Sequence, residues 1–316
     1  MIYTLTLNPA RDRSVIIDDF GAGKVNRIKS IKDDPGGKGI NVSKLVNELG
    51  GQTSAVAVLG GNTGKYIENA LKEMGLQGRF VYTNGETRTN IKVSDPVNHT
   101  TTDINEPGAP LGNEEAAAVR GLMLSLLMPG DSLVIAGKID ILRIPLGEWI
   151  AAFSQKGAKV FLDTEGAALS EGIKAGVYMI KPNDDELAQL TGNRFEGEEQ
   201  LISEVRKLLC ENSVQLAVVS MGSNGALLIT RDAALKASAP KVEAVCTTGA
   251  GDSLTGAFVY ALDEGKPLDY ALRLGVAAGS AAVTMPGTQV PSRSLIYSLL
   301  EETQIWDAEK LTKNNG

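Results

Sequence analysis

Cys246-Thr247-Thr248-Gly249-Ala250-Gly251-Asp252-Ser253-Leu254-Thr255-Gly256-Ala257-Phe258 reads as the end of a strand, a tight glycine turn and an apolar helix beginning at the aspartate. Two glycines flanking an alanine let the backbone turn sharply and approach a ligand with no side chain in the way. At a helix start, such a turn aims N–H donors and the positive end of the helix dipole at whatever lies in front of it. Asp252 stands beside those donors. The stretch admits two readings: an anion cradle with a carboxylate base beside it, or a helix capped by an aspartate after a glycine turn.

Outward from this turn, apolar runs alternate with segments of helical spacing from 36 to 285. That order predicts a mostly parallel sheet covered on both faces, with ligands outside the carboxyl ends of its strands. Gly60-Gly61, Gly137, Asn183, Ser220-Met221-Gly222 and the opening turn all follow predicted strands and so share one rim. Two β segments, about 11–34 and 86–105, are polar on alternate positions and interrupt the alternation. In the first, runs at 14–17 and 25–31 are joined by Gly21-Ala22-Gly23. The two segments are expected to pair as a small β lid, leaving 1–10, 35–85 and 106–316 as the α/β domain.

Composition removes several function classes. With 43% hydrophobic and 22% charged residues the chain is ordinary globular protein. A net charge of −7 argues against a nucleic-acid or anionic-membrane partner but leaves room for a small anion held by a few local cations. Cys210 and Cys246 are too few for a disulfide framework, and the single histidine, His99, rules out multi-histidine metal sites. The opening residues 1–7 read as a strand, not a signal peptide, and no run of about 18 apolar residues occurs. A cytoplasmic setting is expected.

Two nucleotide signatures fail. Gly36-Gly37-Lys38 is followed by Gly39, so the hydroxyl that a Walker loop places on magnesium is missing, and no G-x-G-x-x-G follows the first strand. What remains is a combination of four separated elements: Asn8-Pro9-Ala10-Arg11-Asp12, Gly36-Gly37-Lys38-Gly39-Ile40-Asn41, Lys181-Pro182-Asn183-Asp184-Asp185-Glu186, and the turn ending at Asp252. With these the chain resembles the PfkB (ribokinase-like) family of carbohydrate kinases over residues 1 to about 293. The glycine-rich signatures stand in the right order about 210 residues apart. Thr4-Leu5-Thr6-Leu7-Asn8-Pro9 and Gly85-Glu86-Thr87-Arg88-Thr89-Asn90 look most like its phosphosugar branch, that of the 1-phosphofructokinases and tagatose-6-phosphate kinases.

The resemblance implies an α/β, three-layer ribokinase-like fold and an ATP- and Mg2+-dependent phosphotransferase. Asp252 would take the proton of the attacking hydroxyl, and the amides of Gly249, Ala250 and Gly251 would hold the charge developing on the phosphoryl group. Asn183 and Glu186 match the family's magnesium-organising pair; read from spacing alone they are equally a helix cap with a solvated acid. Ser220, Gly222 and Gly225 match the turn lining the nucleotide phosphates, and the helix at 276–280 would wall the adenine. Asp12, Gly36, Gly37 and Asn41 match positions holding sugar hydroxyls. The acceptor's own phosphate would need cations, for which Lys24, Arg27, Lys38 and Arg88 are candidates.

The chain also departs from the branch. Ser-Gly-Ser-Leu-Pro is replaced by Ala136-Gly137-Lys138-Ile139-Asp140, and Asp-Thr-Ser-Gly by Asp163-Thr164-Glu165-Gly166. The expected reaction is phosphorylation of a primary hydroxyl of fructose 1-phosphate, giving fructose 1,6-bisphosphate. Tagatose 6-phosphate and fructose 6-phosphate come next; the other classes are a kinase of an unphosphorylated sugar or nucleoside and a non-catalytic sugar-phosphate sensor. A homodimer through the lid is also expected from the branch.

Overall fold

The structure is a computed structural model describing residues 1–139 and 144–312; Asp140 and the chain end 313–316 lie outside the described residues. The chain begins β1 (Ile2–Thr6), β2 (Ala10–Ile16), β3 (Ser30–Gly36), α1 (Lys38–Glu48), β4 (Thr53–Gly60) and α2 (Gly61–Glu73). It continues β5 (Gln77–Thr83), β6 (Arg88–Asp95), β7 (Thr100–Asn105), α3 (Asn113–Leu126), β8 (Ser132–Ala136) and α4 (Leu146–Gln155). Then come β9 (Lys159–Asp163), α5 (Gly166–Ala175), β10 (Met179–Ile180), α6 (Asp184–Thr191), α7 (Glu198–Asn212) and β11 (Leu216–Ser220). The last part is β12 (Ala226–Thr230), β13 (Ala234–Ala237), α8 (Ala250–Asp263), α9 (Leu268–Ala282), α10 (Arg293–Glu302), β14 (Ile305–Asp307) and α11 (Ala308–Thr312).

Among the described residues, ten strands form one sheet in the order β14-β13-β12-β11-β10-β9-β8-β1-β4-β5. From β11 to β5 every neighbour is parallel; β12, β13 and β14 add an antiparallel edge. Strands buried on both faces read as unbroken apolar runs, and alternate residues serve opposite layers. Leu133 and Ile135 of β8 pack with α3, α4, α5 and α7, whereas Val134 and Ala136 pack with α1, α8, α9 and α10. The result is a three-layer α/β/α body of mostly parallel sheet. No helix among the described residues is long and apolar enough to cross a membrane.

A second sheet has the order β3-β2-β6-β7 and draws on both polar-backed segments. β2 runs antiparallel to β3 and parallel to β6, and β7 is antiparallel to β6. Its own small core is Val15, Ile17 and Val93, with Phe20 and Ile91 against it.

Three local expectations differ from the structure. The run 25–31 is mostly loop: Asn26 closes it by accepting from the Gly21 amide at 3.0 Å and donating back to the Gly21 carbonyl at 2.9 Å. Pairing therefore starts only at Ser30, opposite Ile16. The strand then runs on to Gly36, through Pro35, which an edge strand tolerates. Finally, no strand precedes the opening glycine turn. Residues 239–248 run irregularly past the end of α9, with the Val245 and Cys246 amides both donating to the Val283 carbonyl.

Candidate active site

α8 starts at Ala250 and its N-cap is Gly249, at φ 85° and ψ −5°. An L side chain is strained in that conformation, so glycine is required there. The capping role therefore falls to Gly249, not to Asp252, and no side chain caps the helix. The amides of the first turn have no partner within the helix, although that of Ala250 donates to the Thr247 carbonyl at 3.3 Å. Asp252, one turn in, is buried and turns its carboxylate to α1, where Asn41 Nδ2 donates to Oδ2 at 2.8 Å. Burial, with Asp163 adding to it, pushes the Asp252 carboxyl up to about 6, against the opposing pull of Lys38, Asn41 and Lys181.

Asp163, at the end of β9, is the electrostatic centre that the sequence did not single out. Lys38 Nζ lies 3.1 Å from one carboxylate oxygen and Lys181 Nζ 3.3 Å from the other, which also accepts from the Thr255 hydroxyl at 3.1 Å. Burial alone would raise the Asp163 carboxyl, but Lys181 and Lys38 hold it below its ordinary value. Lys38 is the first residue of α1, where the helix dipole disfavours a cation. Asp163 more than compensates and raises the ammonium above its ordinary value despite burial. Lys181 stands behind the glycine turn: a Cβ on Gly251 would lie 3.3 Å from its Nζ.

A polar cavity of about 470 Å³ lies between this floor and the small sheet. Asp12, Gly37, Lys38, Asn41, Arg88, Asn183, Glu186, Ser220, Gly249, Gly251 and Asp252 all line it, as do Asn90 and Lys92, which sequence reasoning passed over. Asn90 Nδ2 donates to Asp12 Oδ1 at 2.9 Å, and burial pushes the Asp12 carboxyl up. Gly36 fits beside Asp12 because a Cβ there would fall 2.0 Å from Oδ2. Arg88 donates to the carbonyls of Glu106 and Asn8, each at 3.1 Å. Asn41 Oδ1, Asn90 Oδ1 and Thr288 Oγ1 are buried on lining side chains without a partner among the described residues. Buried polar atoms of this kind are normally satisfied, so a ligand rich in hydroxyls fits them.

Lys24 and Arg27 do not reach the cavity of their own chain. Lys24 pairs with Asp19 at 2.7 Å on the exposed loop after β2, and Arg27 is exposed on the same loop. Neither lines the polar cavity. Lys138 and Glu165, the two departures from the family pattern, lie 3.3 Å apart as an exposed pair, and neither lines the polar cavity.

Across the glycine turn lies a second, apolar cavity of about 490 Å³, with Pro240, Val242, Leu254, Val276, Gly279 and Val283 in its wall. Gly222 and Gly225 line it, and Ser220 and Gly251 belong to both cavities, so the two meet at the turn. At its other side Asn183 and Glu186 form a full capping box: Asn183 Oδ1 accepts from the Glu186 amide at 2.8 Å, and Glu186 Oε2 accepts from the Asn183 amide at 3.0 Å. The cap leaves Glu186 Oε1 available at the cavity. No cluster of three metal-ligating side chains exists among the described residues. This donor set fits a cation that keeps its waters and takes most oxygens from phosphates, as magnesium does.

Known proteins carry the same pattern. The model of the pfkB family carbohydrate kinases matches residues 4–295. A 1-phosphofructokinase of Bacillus subtilis (strain 168) is 36% identical over 307 residues, covering 96% of this chain and 99% of that protein. The ATP-dependent 6-phosphofructokinase isozyme 2 of Escherichia coli (strain K12) is 31% identical over 295 residues, 92% of this chain and 95% of that one. The crystal structure of the Escherichia coli phosphofructokinase-2 in complex with fructose 6-phosphate superposes with a TM-score of 0.90 at 29% identity, covering 95% and 98% of the two chains. With a buried carboxylate at a glycine turn between a polar and an apolar cavity, the chain belongs to the pfkB family of carbohydrate kinases.

Proposed function

We propose that the protein transfers the γ-phosphoryl group of ATP to the C6 hydroxyl of fructose 1-phosphate, giving fructose 1,6-bisphosphate and ADP. The meeting of the two cavities at Ser220 and Gly251, with Asp252 at the junction, carries this reading. The adenine occupies the apolar cavity, its phosphates run past Ser220 and Gly222 to the amides of Gly249, Ala250 and Gly251, and the sugar fills the polar one. Asp252 accepts the proton of the attacking hydroxyl while Asn41 holds its carboxylate in place. Asp12, Asn90, Gly36 and Gly37 meet the sugar hydroxyls. Arg88, bound only to carbonyls, is the cation for the acceptor's phosphate, whereas Lys38 is engaged by Asp163. Asn183 and Glu186 would hold magnesium through its waters, and the ion, when bound, neutralises phosphate charge. The name of the Bacillus relative, a 1-phosphofructokinase, supports fructose 1-phosphate; the Escherichia coli complex favours fructose 6-phosphate as the second reading.

Coupled detection of ADP with the purified protein, over fructose 1-phosphate, fructose 6-phosphate, tagatose 6-phosphate, fructose and ribose, tests it. We expect kcat/KM for fructose 1-phosphate to exceed the others by about tenfold or more, an advantage of about 1.4 kcal/mol in transition-state binding. A preference for fructose 6-phosphate installs the second reading. Activity confined to the unphosphorylated sugars overturns the substrate class, and no turnover of ATP with any acceptor points to a sensor.

A homodimer through the small sheet completes the proposal. Ile16, Ile28, Ile31 and Ile104 are exposed on or beside it, and Val25 is 78% exposed. The expected result in light scattering is twice the chain mass of 33.3 kDa; a monomeric mass at assay concentration contradicts it.

A further inference from the structure

The inward face of the small sheet carries one cation that the reading above leaves idle. The strand period of two sets Arg88, Asn90 and Lys92 on one face of β6, and all three line the polar cavity. The register places Asp12, Asn90 and Asn105 in one row and Ser14, Lys92 and Asp103 in the next. Ser14 of this second row lies beside the turn 287–288, which in turn touches Gly249. A Cβ on Gly287 would lie 3.1 Å from Ser14 Oγ, and one on Gly249 would lie 3.9 Å from Thr288. The turn 287–288 thus links Ser14 to the N-terminus of α8.

Lys92 Nζ lies 2.9 Å from Asp103 Oδ1, but the two ends differ: the Lys92 side chain is 18% exposed and that of Asp103 52%. Both side chains line the cavity, and the lysine is the more covered of the two. Among the other lining cations, Lys38 and Lys181 share the buried Asp163 and Arg13 grips Asp33 through two bonds of 2.7 Å, while Arg88 is already given to the acceptor's phosphate.

We propose that Lys92 binds a phosphoryl oxygen of the reacting pair, and that Asp103 is the partner it leaves when the phosphate arrives. The inference rests on the phosphosugar-kinase reading. A cross-strand ion pair with one partner half in water is weak, whereas a charge-assisted bond from an ammonium to a phosphate inside a cavity is strong, so the exchange runs toward the phosphate. Two sources present the same chemistry: the acceptor's own phosphate and the γ-phosphate of ATP at the glycine turn.

Calorimetric titration of the full-length protein with fructose 1-phosphate and, separately, with the ATP analogue AMP-PNP separates them. The proteins compared are wild type, Lys92→Met, Lys92→Arg and Asp103→Asn. Lys92→Met is expected to weaken one of the two ligands by about tenfold or more while Lys92→Arg restores it. Asp103→Asn, which removes the competing carboxylate, is expected to tighten the same ligand by about threefold. Loss on fructose 1-phosphate assigns Lys92 to the acceptor, and loss on AMP-PNP assigns it to the nucleotide. A folded Lys92→Met protein that binds both ligands as the wild type does overturns the proposal, as does weakening by all three substitutions alike. Failure of the wild type to bind fructose 1-phosphate removes the substrate reading on its own, and the AMP-PNP titrations then decide for or against Lys92.

Discussion

Asp252→Asn is expected to abolish most turnover and at the same time to raise the melting temperature. Asparagine keeps the size of the side chain and can still accept from Asn41 Nδ2, so the site stays assembled. It cannot take a proton, and the loss of a general base lowers kcat by about 10²–10⁴-fold. The gain in stability has a separate origin. A carboxyl pushed up to about 6 is one whose ionised form is disfavoured by the fold. Relative to an ordinary carboxylate the cost at neutral pH is on the order of 3 kcal/mol, several degrees of melting temperature, and the neutral amide does not incur it.

The pH dependence follows with a definite sign. Between the ordinary value of 3.8 and about 6 the folded Asp252 binds a proton that the unfolded chain has released. The destabilisation by ionised Asp252 is therefore complete above about pH 6 and disappears as pH falls toward 4. The melting-temperature gap between Asp252→Asn and wild type should be widest at pH 7 and close on acidification. Wild-type kcat/KM should fall with an acid limb near pH 6. A gap independent of pH, or an Asp252→Asn enzyme with near-normal kcat, contradicts the role given to this residue.

The second large effect is expected at Asp163. Its carboxylate answers Lys38 and Lys181 at once, and Lys181 is only 7% exposed, so it cannot turn to water if the partner is removed. Stripping one side from a buried ion pair leaves an uncompensated charge and costs about 3–5 kcal/mol. Asp163→Ala should therefore lower the melting temperature by on the order of 10 °C. Asp163→Asn, which can still accept from Thr255, should fall between it and wild type. Activity supplies a second readout. Asp163 helps to raise Asp252 while the two lysines lower it, so removing the carboxylate moves the acid limb of kcat/KM to lower pH. An unchanged acid limb in a folded Asp163→Asn protein contradicts the coupling.

The sheet was legible because burial on both faces leaves a plain mark. Runs such as Leu133 to Ala136 and Val160 to Leu162 are apolar at every position, and the glycine turns after them mark the rim. The antiparallel edge was not legible: β13 and β14 are short, and Lys236 and Trp306 give them no clear period. At the site, the resemblance to the carbohydrate kinases pointed to Asp252, Asn41, Asp12 and Arg88, which all line the polar cavity. Asp163 escaped because one aspartate at a strand end says nothing until the fold sets Lys38 and Lys181 on either side of it. The strand expected before Gly249 failed for a related reason. Cys246 reads as a strand end, but its amide and that of Val245 are taken by the Val283 carbonyl at the end of α9.

The place of β1 in the sheet bears on how the chain matures as it is made. Ile2 pairs with Thr53 on one side and with Ser132 on the other. β1 thus keeps one bare edge until β8 has emerged, well over a hundred residues later. The small sheet waits as well, since Ala10 has no β6 partner before Arg88 is synthesised. Asp252 arrives later still. Until β8 is made, the nascent chain therefore carries an unpaired strand edge open to mispairing with other chains.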